Sequence, residues 1–162
     1  MEQSRKTYNI LFVCLGNICR SAAAEAVMKA VLAKHEDEHF FVDSAGILSY
    51  HQGEPADSRM RYFAGLRGYD VTSISRPVKG YDFEKFDLII GMDNSNVDEL
   101  KERAATPEQE AKVHQMTEFA IRTTETYVPD PYYGGNEGFE RVMDLLEDTC
   151  EGLYQYLIKR II

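Results

Sequence analysis

The sequence predicts an α/β fold: a single doubly wound domain of about four parallel strands, with helices on both faces and an anion-cradling loop after the first strand. Three observations lead there. Short apolar runs alternate with helix-forming segments, the pattern of a parallel sheet covered on both sides. The chain has 162 residues, enough for one compact domain with a real core and too few for two of ordinary size. No internal repeat, low-complexity tract or linker divides it, so residues 1–162 read as one domain.

The elements follow in order. Tyr8 to Val13 is an apolar run suited to a strand buried on both faces. Ser21 to Lys34, rich in Ala and Met without Gly or Pro, is helical by propensity, with Glu25 and Lys29 paired on its outer side. Phe40 to Ser44 is a second strand. Ser58 to Leu66 is a helix, with Gly68 just past its end. Asp87 to Met92 is a third strand, followed by a helix over Ser95 to Ala104. Thr106-Pro107 is an N-cap and first helical residue. Val113 to Met116 is a fourth, short strand. From Thr117 to Gly138 no periodicity survives, and so long an irregular stretch points to function. Phe139, Val142, Leu146, Cys150, Leu153 and Leu157 then recur at helical spacing in a long final helix.

Composition narrows the classes. Hydrophobic residues make up 44% and charged residues 28%, an ordinary globular balance. A net charge of -9 argues against nucleic acid as a partner. It leaves room for a small anion, which answers to the local field of its pocket. Three cysteines, Cys14, Cys19 and Cys150, form no disulfide framework and suit a reducing compartment. The segment from Met1 to Asn9 is polar, and no apolar run approaches membrane-spanning length. The expectation is a soluble, cytoplasmic protein with no membrane partner.

Between the first strand and the first helix stands Cys14-Leu15-Gly16-Asn17-Ile18-Cys19-Arg20-Ser21. A loop entering a helix N-terminus presents unpaired N–H groups and the positive end of the helix dipole, where a phosphate can sit. The same field favours the thiolate of a cysteine at the loop's start, which makes Cys14 the candidate nucleophile. Arg20 can fold back as a planar, two-pronged donor to phosphate oxygens. Gly16 and Asn17 are the residues that most easily take left-handed backbone angles, as a loop curling its amides inward needs. In such sheets ligands bind at the carboxyl ends of the strands, where this loop lies. A lone cysteine is more often a buried core thiol. Its place at a strand-to-helix junction, with Arg-Ser following, favours the functional reading.

This loop resembles that of the low-molecular-weight protein tyrosine phosphatases, whose signature is Cys-x5-Arg-Ser near the start of the chain. The resemblance extends through Asp43-Ser44-Ala45-Gly46, Pro55 to Arg59, Met92 to Asn96 and Asp130-Pro131-Tyr132-Tyr133. It implies that Asp130 is the general acid and base, that Cys14 carries a phosphocysteine intermediate, and that Arg20 with loop residues Leu15, Gly16, Asn17, Ile18 and Cys19 binds phosphate. Ser21 would donate to the Cys14 sulfur, and Asn17 would bond Ser21 and Ser44. Leu15, Tyr50, Tyr132 and Tyr133 would wall a pocket for a phenyl ring. No metal and no cofactor are implied. Cys19 would form a reversible disulfide with Cys14 that protects it from oxidation. The partners implied are phosphotyrosine proteins, a tyrosine kinase among them, met by a monomer. Where the family often has a His before Arg76, this chain has Ser73, which puts the Asn-Ser network in question.

Other readings fare less well. Protein arginine phosphatases share the loop, and as a subfamily carry Thr where this chain has Ile18. Arsenate reductases of this fold need two further redox cysteines in mid-chain, where there are none. A phosphocysteine carrier would lack an acid such as Asp130. His35-Glu36-Asp37-Glu38-His39 matches a zinc-protease pattern, yet lies at the charged end of a helix just before a strand, and reads as a solvated turn.

Overall fold

The computed structural model describes residues 7–132 and 135–161. Four parallel strands form one sheet: β1 (Tyr8–Cys14), β2 (Phe40–Gly46), β3 (Leu88–Gly91) and β4 (Val113–Gln115), in the order β2-β1-β3-β4. Phe12 pairs with Ser44 on one side and Ile90 on the other, so β1 is central. Ile10 to Val13 have no exposed surface. Burying such a side chain fully stabilises the fold by about 1.5–3 kcal/mol relative to leaving it in water.

The helices are α1 (Arg20–Lys34), α2 (Ser58–Leu66), α3 (Asp82–Lys85), α4 (Asn94–Arg103), α5 (Pro107–Glu110) and α6 (Asn136–Ile161). Strand alternation divides the core. Ile10, Phe12 and Cys14 point into one half, shared with Val27 and Met28 of α1 and Phe139 and Leu146 of α6. Leu11, Val13 and Ile89 point into the other, against Phe83, Val97 and Leu100. The chain runs from β1 to β2 on one side, then returns to β1's other flank with β3. That reversal opens a cleft beyond the carboxyl end of β1, where the Cys14 loop emerges.

Most elements lie where the sequence puts them, and the differences have physical causes. Helix α3 is a single turn, too short to show a period, yet it buries Asp82 and Phe83. A 3₁₀ turn over Met116–Phe119 follows β4 directly. Glu25 is buried rather than on an outer face: Lys29 pairs with it from the solvent side, and the Ser44 hydroxyl donates to it from β2 at 2.6 Å. Gly68 takes a φ of 89° just after α2, as a helix terminator does. The His35–His39 segment is a turn in which Asp37 accepts from the His39 amide and from the Tyr154 hydroxyl of α6.

Beyond Phe119 the chain has no helix or strand up to Tyr132, but it is well tethered. The buried Asp148 of α6 accepts from the amides of Ile121, Arg122 and Thr123. Gly152 lets α6 press against this segment, since a Cβ there would lie 1.7 Å from the Phe119 carbonyl oxygen. The Val128 amide donates to the Met92 carbonyl at 2.9 Å, bringing the segment's far end beside β3.

Helix α2 begins on Asp57, whose carboxylate accepts from the amides of Arg59 and Met60. Burial alone would raise the Asp57 carboxyl, but the Arg59 side chain and those two amides outweigh it and hold it below the ordinary value. A depressed carboxyl stabilises the fold above the unfolded value, near pH 4, and loses that contribution as pH falls through its folded value. Asp57→Ala should therefore cost about 1 kcal/mol in urea unfolding at neutral pH. The gap from wild type should narrow below about pH 4.

Candidate active site

The loop from Cys14 to Ser21 closes directly onto the first turn of α1. That helix has no side-chain cap and no acidic residue in its first turn, so its leading amides and dipole face an incoming anion. Asn17 takes the left-handed conformation with φ 59°. Gly16 does not: the loop needs one such residue, and Asn17 supplies it. Gly16 matters for space, because a Cβ on it would lie 3.1 Å from the His51 ring. Gly46 at the end of β2 packs as closely, since a Cβ there would meet the Gly16 backbone at 3.1 Å and the Asn17 side chain at 3.2 Å.

Under the loop runs a chain of polar contacts. The Cys14 Sγ lies 3.0 Å from the Ser21 Oγ. The Asn17 Nδ2 donates to that same Oγ at 2.8 Å, and the Asn17 Oδ1 accepts from the Arg76 amide at 3.1 Å. The Ser21 hydroxyl also reaches the Ala45 carbonyl at 3.4 Å, and across its contact with the sulfur either atom can be the donor. Arg76 is held in turn by Asp43 and by the fully buried Asp82. Ser44 does not join Asn17; its hydroxyl is taken by Glu25. The Ser73 hydroxyl is buried and makes no hydrogen bond among the described residues. Two positions on, the Ser75 hydroxyl donates to the Gly16 carbonyl at 3.0 Å, so Ser75 is the serine of this segment that reaches the loop.

Arg20 is 3% exposed, and three groups satisfy its guanidinium. Its Nη1 donates to Asp93 at 2.7 Å and to the Val128 carbonyl at 3.1 Å, while its Nη2 stands 3.7 Å from the Asp130 carboxylate. Burial would make the guanidinium less basic, but Cys14, Asp93 and Asp130 outweigh that and hold its affinity for the proton above the ordinary value. Its charge is permanent here.

Cys14, Leu15, Gly16, Ile18, Cys19, Arg20, Leu48, Tyr50, His51, Asp130 and Tyr132 line one pocket. Cys14 is buried at its floor, whereas Leu15 and Tyr132 are partly exposed and Tyr50 is 81% exposed at the rim. Tyr133 falls outside the described residues. The pocket thus gathers Cys14, Arg20 and Asp130 from opposite ends of the chain. Cys19 is a free, buried thiol; burial, with help from Asp57, pushes its proton affinity well up. Among the described residues no three His, Cys, Asp or Glu side chains are grouped to hold a metal ion, and no helix is long and apolar enough to cross a membrane.

Sequence reasoning missed Asp93, Ser75, His51 and Leu48. Asp93 had a signal: Asp93-Asn94-Ser95-Asn96 marks a helix N-cap, and its carboxylate accepts from the Asn96 amide at 2.8 Å. Its second duty toward Arg20 is a tertiary fact.

A buried thiol, a buried arginine and uncapped helix amides meet at the switch point of a parallel sheet, a set of groups suited to holding an anion. The family model for low molecular weight phosphotyrosine protein phosphatase matches residues 9–161. A Synechocystis relative bearing that family's name is 42% identical over 154 residues, covering 94% of this chain and 98% of its own. The crystal structure of an Entamoeba histolytica protein tyrosine phosphatase superposes with a TM-score of 0.92 at 52% identity, covering 94% of this chain and 98% of that one. A solved Drosophila protein described as an arginine phosphatase superposes at 0.86 and 32% identity, over 91% and 96% of the two chains. The chain belongs to the low molecular weight phosphotyrosine protein phosphatase family and is a hydrolase of that kind.

The bond from Ser75 to the Gly16 carbonyl carries a specific expectation. A hydrogen bond of this kind contributes about 1 kcal/mol, or roughly fivefold in binding. Ser75→Ala should lower stability by about 1 kcal/mol in urea unfolding and weaken competitive inhibition by inorganic phosphate by up to about fivefold.

Proposed function

We propose that this protein hydrolyses phosphotyrosine through a phosphocysteine on Cys14, with Arg20 binding the phosphate and Asp130 as general acid and then base. The observation that carries the reading is the convergence of these three side chains on one pocket, with the Ser21 Oγ 3.0 Å behind the sulfur. In the first step the Cys14 thiolate attacks phosphorus, the S–P bond forms and the P–O bond to the phenol breaks. The leaving oxygen takes the Asp130 proton. In the second step Asp130 takes a proton from water, whose oxygen attacks phosphorus; the S–P bond breaks and inorganic phosphate leaves. The Ser21 hydroxyl donates to the sulfur as the thiolate returns.

Arg20 uses Nη1 on Asp93 and Val128, while its Nη2 makes only the longer 3.7 Å contact with Asp130, so an entering phosphate takes the Nε–Nη2 edge with two of its oxygens. The loop amides from Leu15 to Cys19 take the rest. Donors of fixed orientation stabilise charge as it moves onto the equatorial oxygens, the main protein contribution to such chemistry.

Substrate choice rests on the walls. Leu15, Ile18, Leu48, Tyr50 and Tyr132 suit a flat aromatic ring, and the buried floor favours a long phosphorylated side chain over phosphoserine. Ile18 gives an apolar wall, which favours phosphotyrosine over phosphoarginine. A tyrosine kinase must supply such substrates, and a kinase carrying phosphotyrosine is itself a suitable one. Three free cysteines suit a reducing cytoplasm.

Peptides bearing phosphotyrosine, phosphoarginine or phosphoserine should be turned over in that order of kcat/KM. Cys14→Ser should abolish turnover, and Asp130→Ala should lower it by about 10²–10⁴-fold. Equal or better turnover of phosphoarginine would refute the substrate assignment. A single burst without steady turnover would point to a carrier.

Cys19 is proposed as the thiol that resolves oxidised Cys14. Peroxide should inactivate wild type and Cys19→Ser alike, with activity returning on thiol treatment in wild type alone. Its raised proton affinity predicts that resolution quickens as pH rises.

A further inference from the structure

Arg59 opens the first turn of α2, far in sequence from both the Cys14 loop and Asp130, and does not line the pocket. Its guanidinium nevertheless joins them. Nε and Nη2 donate to the two oxygens of Asp57 at 3.3 and 3.2 Å, and Nη2 also donates to the Tyr132 carbonyl at 3.0 Å. The guanidinium carbon lies 5.5 Å from the centre of the Tyr132 ring and 4.8 Å from that of Phe139. Phe139 is fully buried and stacked on Phe63, so it is a fixed seat for the cation.

Each end of this contact reaches the site. The Asp57 amide donates to the carbonyl of Ile18, inside the phosphate loop, at 2.8 Å. The Tyr132 amide donates to the Asp130 Oδ1 at 3.0 Å. Pro129 and Pro131 have no N–H to donate, so the short segment bearing Asp130 is steadied from its ends. Upstream, Val128 is held by the Met92 carbonyl and by Arg20. Downstream, Tyr132 is held by Arg59.

We propose that Arg59 is a positioning residue for the general acid: by clasping the carbonyl and ring of Tyr132 against Asp57, it holds the Asp130 carboxyl over the phosphate loop. The inference rests on the reading of Asp130 as that acid. The planar fork is essential to it, because a lysine keeps the charge but cannot engage Asp57 and the Tyr132 carbonyl together over two rings.

The test compares kcat/KM for two aryl phosphates. Phenyl phosphate has a basic leaving oxygen that needs a proton as its bond to phosphorus breaks; dinitrophenyl phosphate releases a stable anion without one. Arg59→Met should lose about tenfold more on phenyl phosphate than on dinitrophenyl phosphate, with Arg59→Lys between wild type and Arg59→Met. Turnover of dinitrophenyl phosphate by the same variants shows that the Cys14 loop is folded. Equal losses on both substrates, or none on either, overturn the proposal. Asp130→Ala is measured alongside. If it discriminates between the substrates and Arg59→Met does not, the role of Arg59 alone falls. If neither discriminates, the acid reading of Asp130 falls and takes this inference with it.

Discussion

Arg20 carries a permanent positive charge where almost no water reaches it, and a buried charge without partners would cost several kcal/mol. Its partners come from three parts of the chain: Asp93 at the start of α4, the Val128 carbonyl and the Asp130 carboxylate beyond the last strand. Meeting that one demand draws the β1–α1 loop, the end of β3 and the long irregular segment to a single point. The site is assembled by the need to satisfy Arg20 as much as by the sheet beneath it.

A second layer keeps the loop itself in shape. Asn17 uses both ends of its amide, one on Ser21 and the other on the Arg76 backbone, so its orientation is fixed and so is the Ser21 oxygen behind the sulfur. Ser75 takes the Gly16 carbonyl, which would otherwise be free to turn toward the anion. Each bond is modest alone, but together they fix donors in place before any phosphate arrives. Prepaid orientation of this kind makes amides and a guanidinium effective against charge that appears only in the transition state.

The two proposed chemical roles place opposite demands on one carboxyl. Asp130 must offer a proton in one step and withdraw one in the next, so it has to stay near both the leaving oxygen and the water that follows. It lies 3.7 Å from Arg20 and is anchored at neighbouring residues on both sides, a geometry that limits its wandering without burying it. The rim is looser: Tyr50 stands out in solvent, which suits a surface that meets protein substrates.

How much was legible in the sequence follows from the range of the interactions. Strand runs, the α1 helix, the Thr106 cap and the loop from Cys14 to Ser21 are local patterns, and local sequence carries them, as it does a thiol separated by five residues from an Arg-Ser pair. Asp130 was legible only through resemblance, since a proline-flanked aspartate is by itself just a turn. Side-chain partners set by long-range packing were not legible. Ser44 could bond Asn17 or Glu25, and the approach of α1 to β2 chose Glu25. Ser73 and Ser75 are alike in sequence, and the path of the segment between α2 and α3 alone turned Ser75 toward Gly16. The sequence by itself determined the candidate nucleophile, the loop proposed to cradle phosphate and the succession of strands and longer helices, because each depends on neighbours along the chain. Tertiary structure alone decided who holds Arg20 and Asp130 in place, because Asp93, Val128 and Arg59 become their neighbours only once the sheet has closed.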